Sequence, residues 1–200
     1  MPLENLCVYC GSAFGGDPFF AAAATRLGEI LAHRNIRLVY GGGSIGLMGN
    51  LARAVLSKGG AVTGVIPSFL KDREVMLKDV PDLVITEGMH ERKRAMFDAA
   101  DAFVALPGGI GTLDEVIEMM TWAQLGRHTK PIVIANLKGF WDPLLALFDH
   151  MEQGGFLRKS RSSDRRLHLV AETIEAIVPL IELALADGHA HPTLAPGMPG

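Results

Sequence analysis

The segment at residues 107–115, PGGIGTLDE, combines residue types that can bind an anion and act on it. It follows a short apolar run and precedes a helical pattern, so its glycines fall at a helix start. Glycine lets the backbone approach a ligand closely, and the first turn of a helix offers unpaired N–H groups and a positive dipole end. We therefore predict a phosphate site here, with the Glu115 carboxylate within one turn of it. Its lining residues would be Gly108, Gly109, Gly111 and Thr112.

Two cations open the preceding helix, which is predicted over residues 91–100. Arg92 and Lys93 lie where positive charge opposes the helix macrodipole, so they need a nearby phosphate or carboxylate. Asp114 and Glu115 also have a simpler explanation, because acids in a first turn complement the dipole of their own helix. An Arg92–Glu115 ion pair with a purely structural role is a second alternative.

Glycine-bearing turns follow two further apolar runs, at Gly11-Ser12 and at residues 41–49. In an open α/β sheet, ligands bind beyond the carboxyl ends of the strands. Three such turns at one sheet edge favour an anionic ligand such as a nucleotide. Within the second turn we predict that Gly42, Gly43 and Gly46 contact it.

Other phosphate and cofactor sites fit the sequence less well. The stretch GGGSIG matches the dinucleotide fingerprint through Gly41, Gly43 and Gly46, but the carboxylate expected at the end of the next strand is missing, and the next acid is Asp72. The Gly-Lys-Ser/Thr of a Walker A loop does not occur. Nothing singles out a lysine for pyridoxal chemistry. We predict no cofactor and no metal.

The elements that must position these residues alternate regularly. Short apolar runs that predict strands lie at residues 6–9, 37–40, 61–66, 83–86, 102–106, 131–135 and 167–170. Helical patterns lie between and after them, at residues 20–34, 47–58, 91–100, 112–125, 143–153 and 173–185. This order predicts an α/β, Rossmann-like, doubly wound parallel sheet with helices on both faces. Residues 1–186 form one predicted domain, and 187–200 a mobile tail.

Composition limits the partners. Of the 200 residues 48% are hydrophobic and 20% charged, the net charge is −3, and there is no basic block, so nucleic-acid binding is not expected. The first residues show neither a signal peptide nor a membrane span, which predicts a cytoplasmic protein without membrane contact. Cys7 and Cys10 lie within or next to a strand, too far apart for a disulfide, and are predicted to be buried and structural.

The motifs together resemble the Lonely Guy (LOG) family of cytokinin riboside 5′-monophosphate phosphoribohydrolases. The family's P-G-G-x-G-T-x-x-E motif is complete at residues 107–115, and its M-x-x-R-K element stands at residues 89–93. The G-G-G-x-x-G-L-M-G element at residues 41–49 agrees as well. The resemblance extends over about residues 6–156 and is loose beyond.

The resemblance implies that Arg92 and Glu115 are the catalytic pair and that the substrate is a nucleotide. It also implies a homodimer with the site near the subunit interface. Gly108, Gly109, Gly111 and Thr112 would then hold the 5′-phosphate. Further substrate contacts are predicted at Gly11, Ser12, Gly42, Gly43, Gly46, Met89 and Lys93.

Cleavage of a ribosyl–base bond builds positive charge on the sugar. A nearby carboxylate can stabilise that charge, or it can accept a proton from the attacking water. Glu115 is the candidate for this role. Arg92 could orient Glu115, or contact the base or the phosphate. The sequence leaves open which base is preferred, with AMP as one option. The alternative function is a non-catalytic carrier of a phosphate-bearing nucleotide or cofactor, because a fold alone does not imply activity.

Overall fold

The computed structural model describes residues 2–70, 77, 80–157 and 167–187. Seven parallel strands form one sheet in the order β4-β3-β2-β1-β5-β6-β7. The strands are β1 (Asn5–Tyr9), β2 (Arg37–Tyr40), β3 (Val62–Pro67), β4 (Asp82–Thr86), β5 (Ala102–Ala105), β6 (Ile132–Ala135) and β7 (Leu169–Ala171). The α-helices are α1 (Pro18–His33), α2 (Gly46–Ser57), α3 (Met89–Ala99), α4 (Ile110–Gln124), α5 (Asp142–Gln153) and α6 (Ile174–Ala186).

The helices cover both faces of the sheet, which confirms the predicted Rossmann-like α/β class. Successive strand residues point to opposite faces, so Leu6 and Val8 of β1 pack with the layer of α1, α2 and α6. Cys7 and Tyr9 pack with the layer of α3, α4 and α5. The central strands are buried on both sides, which explains why they are continuous apolar runs rather than alternating ones.

Strand β1 lies at the point where the chain reverses its direction across the sheet. Strands β2 to β4 extend from one side of β1, and β5 to β7 from the other. Leu6 to Tyr9 pair in register with Ala102 to Ala105 of β5. A crevice forms beyond the carboxyl ends of the strands at such a switch point. The loops after β1 and β5 therefore flank the expected binding site.

Several local predictions are confirmed. The Asp17 carboxylate accepts a hydrogen bond from the Phe19 N–H at 2.8 Å, and Pro18 begins α1, so the N-cap is where the sequence indicated. Cys7 and Cys10 are free and buried in opposite layers. Burial raises the pKa of both thiols well above the ordinary value.

Several helix starts differ from the predicted bounds, and α1 at Pro18 and α4 at Ile110 each begin two residues early. Helix α3 begins at Met89, two residues before the predicted start at Glu91, because Gly88 ends the preceding loop in an extended conformation. Among the described helices none is long and apolar enough to cross a membrane. The predicted tail lies outside the described residues from position 188 onward, so its mobility and the domain boundary stay predictions.

Candidate functional site

The three glycine turns contact one another at the carboxyl edge of the sheet. The Gly11 N–H donates to the Pro107 carbonyl at 3.1 Å, which joins the loop after β1 to the loop after β5. The Gly11 carbonyl accepts from the Leu47 N–H at 3.0 Å in the first turn of α2. Three segments far apart in sequence thus form one continuous backbone surface, as their places after β1, β2 and β5 predicted.

Glycine is required where these loops touch. Gly46 has φ of 57°, and a Cβ there would collide with the backbone of Ser12 and Ala13. A Cβ on Gly108 would collide with the Thr112 side chain and lie 2.9 Å from the Gly11 nitrogen. At these positions the glycines allow the loops to pack together.

Gly109 and Gly111 have a different environment, because a Cβ on either residue would meet no atom of the described residues within 4 Å. Neither has a positive φ. Gly109 is the N-cap of α4 and makes no side-chain capping hydrogen bond. Here the fold itself does not need glycine, and the start of α4 presents an open, uncapped surface suited to an anion.

Arg92 is buried, with 6% of its surface exposed, and its guanidinium binds several elements. Nε donates to the Val65 carbonyl and Nη2 to the Gly41 carbonyl, each at 3.2 Å. Nη1 lies 3.8 Å from the Met89 Sδ. The charge of Arg92 is therefore fixed between the ends of β2 and β3.

Glu115 meets Arg92 from the facing helix. Its Oε1 lies 3.7 Å from Nη2 of Arg92, and its side chain is 12% exposed. The structure thus brings together the two residues that the sequence analysis paired. The carboxylate lies in the second turn of α4, about 9 Å along the helix axis from the open helix start. The predicted first-turn position of Glu115 is therefore wrong, because α4 begins at Ile110 and has no acid in its first turn.

Tyr9 adds to this region and was missed by the sequence analysis. Burial raises the pKa of Tyr9, and its neighbour Cys7 and the negative charge of Glu115 raise it further. The phenol therefore stays protonated in the folded protein, within the electrostatic range of Glu115. The signal available in the sequence was its position as the last residue of the first strand.

Lys93 contacts carboxylates of α4. Its Nζ lies 2.8 Å from Oδ2 of Asp114 and 3.1 Å from Oε2 of Glu118. Burial lowers the pKa of Lys93, but the hydrogen bonds and charges of the two carboxylates outweigh it and raise the pKa overall. The predicted need for an anion near this cation is met by the protein itself. The substrate contact predicted for Lys93 stays a prediction.

Comparison with known proteins gives one family. Residues 48–181 match the family model described as "Possible lysine decarboxylase". The protein named cytokinin riboside 5′-monophosphate phosphoribohydrolase LOG from Oryza sativa subsp. japonica is 48% identical over 179 residues, covering 90% of this chain and 73% of that protein. A phosphoribohydrolase of the same activity name from Arabidopsis thaliana is 43% identical over 179 residues, covering 90% and 83%.

Solved structures share the fold at lower identity. A molybdenum cofactor binding protein from Rippkaea orientalis superposes with a TM-score of 0.68 at 21% identity, covering 92% of this chain and 99% of that one. The molybdenum cofactor carrier protein of Chlamydomonas reinhardtii gives 0.69 at 20% identity, covering 93% and 99%. At such identities the likeness supports the fold alone.

Proposed function

The chain belongs to the Lonely Guy (LOG) family of phosphoribohydrolases, whose family model carries the description "Possible lysine decarboxylase". From that premise we propose that Arg92 and Glu115 are its catalytic pair. It is an enzyme that hydrolyses the N-glycosidic bond of cytokinin riboside 5′-monophosphates, as the names of its relatives state. Hydrolysis of that bond yields the free base and ribose 5-phosphate. The proposal concerns the residues that perform it.

One observation supports the proposal most directly: a buried arginine–carboxylate pair lies in the second turn of a helix whose start is open, about 9 Å along the axis from that start. A phosphate bound at Gly109 and Gly111 would place the attached ribose near Glu115. In the transition state the sugar carries positive charge, and the Glu115 carboxylate would stabilise it or accept a proton from water. Glycosidases use carboxylates for the same reason, which is an analogy in chemistry.

Arg92 would orient the Glu115 carboxylate. Two backbone carbonyls hold its guanidinium in place, so the arginine is fixed before substrate arrives. A fixed cation beside a carboxylate favours the ionised form of that carboxylate. The proposed phosphate-binding residues are those of the three turns: Gly11, Ser12, Gly42, Gly43, Gly46, Gly108, Gly109, Gly111 and Thr112.

Pyridoxal-dependent decarboxylation of lysine, which the description of the family model names, has no support among the described residues of this site. That chemistry needs a lysine amine that can form a Schiff base. Lys93 is held as an ammonium between two carboxylates. Lys130 precedes β6 at the opposite edge of the sheet, where its Nζ donates to the Phe97 carbonyl at 2.6 Å.

The carrier alternative is weaker than the enzyme. The solved carrier proteins are about one-fifth identical to this chain, whereas the phosphoribohydrolases are nearly half identical. A carrier also has no need for a carboxylate beside the bound ribose. Fold similarity alone does not transfer a function.

We also propose that the chain forms a homodimer with the site near the interface. Ile110 at the start of α4 and Leu125 just after its end are strongly exposed, and exposed apolar side chains on one helix favour burial against a partner. Light scattering should report twice the 21.5 kDa chain mass. A fully active monomer at the assay concentration would contradict this proposal.

The activity is tested with a panel of nucleotides and chromatography of the released bases. N6-isopentenyladenosine 5′-monophosphate should yield free base and ribose 5-phosphate, with weaker release of adenine from AMP. The matching nucleoside, which lacks the phosphate, should be a far poorer substrate, and lysine should not be decarboxylated. Tight binding of a nucleotide without base release from any member of the panel would favour the carrier.

A further inference from the structure

We propose that Lys93 is a positioning residue, whose ammonium holds Asp114 and Glu118 so that Glu115 is left to pair with Arg92. This inference rests on the catalytic role proposed for Glu115. It assigns Lys93 a function inside the protein, in place of the substrate contact predicted from the sequence.

The two helices meet through two adjacent cations and three closely spaced carboxylates. Arg92 and Lys93 are neighbours in α3, whereas Asp114, Glu115 and Glu118 lie within two turns of α4. Asp114 and Glu118 are four residues apart and therefore lie on one side of α4. Lys93 contacts both of them, and Arg92 contacts the Glu115 that lies between them in sequence. The contacts of Arg92 and of Lys93 together fix the register of α3 against α4.

Burial makes the Lys93 contacts strong enough for this role. The Lys93 side chain is 13% exposed and that of Glu118 is 23% exposed, so water screens this pair little. Asp114 is 56% exposed, so its contact with Lys93 is screened more and contributes less. The Oε2 atom of Glu118 is buried and accepts no hydrogen bond from the described residues, so the ammonium 3.1 Å away stabilises it by charge. Loss of the ammonium would leave a buried carboxylate without its counter-charge one turn from Glu115, and α4 would have to shift to bring that carboxylate into water.

A direct contact between Lys93 and the substrate phosphate would disrupt this arrangement. The ammonium has three N–H donors, and two carboxylates already lie at 2.8 and 3.1 Å from it. A phosphate that drew the ammonium toward the start of α4 would compete with these two carboxylates for it. The substrate phosphate instead has the open N-terminus of α4.

The charge of Lys93 should also affect the ionisation of the site. The charged and titratable groups near Glu115 include Arg92 and Lys93 from α3 and Asp114 and Glu118 from α4. They also include Cys7, Tyr9 and Cys10 from β1 and the loop that follows it. The thiols and the phenol stay neutral, because burial raises the pKa of each. Removal of the Lys93 charge therefore makes the site more negative by one unit.

The test compares Lys93→Met, Lys93→Arg and Asp114→Asn in the full chain, with kcat and KM measured for the nucleotide across pH. Lys93→Met should lower kcat by about tenfold or more, because small misplacements of catalytic groups are costly. Its KM should change by less than about threefold, since the phosphate loops are intact. Lys93→Arg, which keeps the charge, should recover most of kcat. Lys58→Met removes an exposed lysine paired with Glu29 on another surface and is the matched control.

The pH profiles give a signature that a merely structural contact would not produce. Lys93→Met should move the acidic limb of kcat to higher pH, because loss of a nearby positive charge favours protonation of a carboxylate. Asp114→Asn removes a negative charge and should move the same limb to lower pH. These opposite shifts would distinguish an electrostatic positioning role from simple loss of packing. If Lys93→Met does not fold, Lys93→Arg and Asp114→Asn still provide the comparison.

A wild-type kcat and pH profile in Lys93→Met would overturn the inference. So would a rise in KM with kcat retained, which is the result expected of a phosphate contact. Either result would leave the proposed function intact, because the wild-type protein would still release base. Absence of base release by the wild-type protein would instead contradict the proposed function.

Discussion

At the scale of single residues, Arg92 combines a structural and a chemical role. Its guanidinium donates to the backbone carbonyls of Gly41 and Val65 and also faces Glu115. The planar fork of arginine can satisfy several acceptors in fixed directions, whereas the lysine ammonium is a point charge on a flexible stem. The charge alone therefore does not explain why an arginine is present.

Arg92→Lys should separate these two properties. We expect kcat to fall at least about tenfold and the free energy of unfolding to fall by roughly 1–3 kcal/mol, because a buried carbonyl would lose its donor. Both are measured on one preparation, by base release and by urea unfolding. Arg94→Lys, two positions along the same helix at an exposed ion pair with Asp98, is the control and should change neither quantity. Full activity in Arg92→Lys would mean that charge alone is sufficient.

At the scale of elements, α4 supplies both the open helix start and the carboxylate. Thr112 is buried in its first turn. Gly111 lies beside it in open space, because a Cβ there would meet no atom of the described residues within 4 Å. Glycine within a helix costs about 1 kcal/mol relative to alanine. Packing does not require glycine at position 111, and glycine weakens the helix there. Its presence therefore indicates that a bound ligand needs the space.

Gly111→Ala should therefore show opposite effects on stability and binding. The melting temperature should stay the same or rise, because alanine favours the helix by up to about 1 kcal/mol. KM for the nucleotide should rise by about tenfold, because the methyl group would occupy the approach of the phosphate. The nucleoside, which has no phosphate, should be turned over equally slowly by both proteins. An unchanged KM for the nucleotide would place the phosphate elsewhere.

At the scale of the whole molecule, two thiols are enclosed in the opposite layers of the core. Burial raises the pKa of Cys7 and Cys10 in the folded protein, whereas an unfolded chain ionises thiols near pH 9.0. A group whose pKa is raised on folding contributes stability that is complete below the unfolded pKa and is lost as the pH rises above it. The fold is therefore expected to weaken in alkali.

The two thiols together should lower the free energy of unfolding by about 3 kcal/mol between pH 8 and pH 10. Urea unfolding at pH 8, 9 and 10 measures this dependence. The double substitution Cys7→Ala, Cys10→Ala should be less stable at pH 8 but show a flatter pH dependence. Stability that does not change over this range would contradict the burial of the thiols.

The sequence predicts the fold well because its signals are local. Each strand is a short apolar run, and α1 has a clear start at the Asp17-Pro18 cap. Helices α3 and α4 have glycine N-caps without a side-chain hydrogen bond, and their starts were predicted two residues late. The meeting of the glycine turns also follows, since the carboxyl ends of parallel strands share one edge of the sheet. The backbone partners of Arg92 and the two carboxylate partners of Lys93 could not be predicted from the sequence in the same way. Backbone carbonyls such as that of Gly41 have no sequence signature, and the register of α3 against α4 depends on packing.

The central claim is that Glu115 supplies the carboxylate that cleaves the N-glycosidic bond, and Glu115→Gln tests it most directly. The substitution keeps the shape of the side chain and removes its charge and basicity. With N6-isopentenyladenosine 5′-monophosphate as substrate, kcat should fall by roughly 10²- to 10⁴-fold, with much smaller changes in KM and melting temperature. An ion pair with Arg92 that is only structural would instead leave kcat nearly unchanged and lower the melting temperature, because the buried guanidinium would lose its counter-charge. Turnover near that of the wild type would remove Glu115 from the mechanism and contradict the claim.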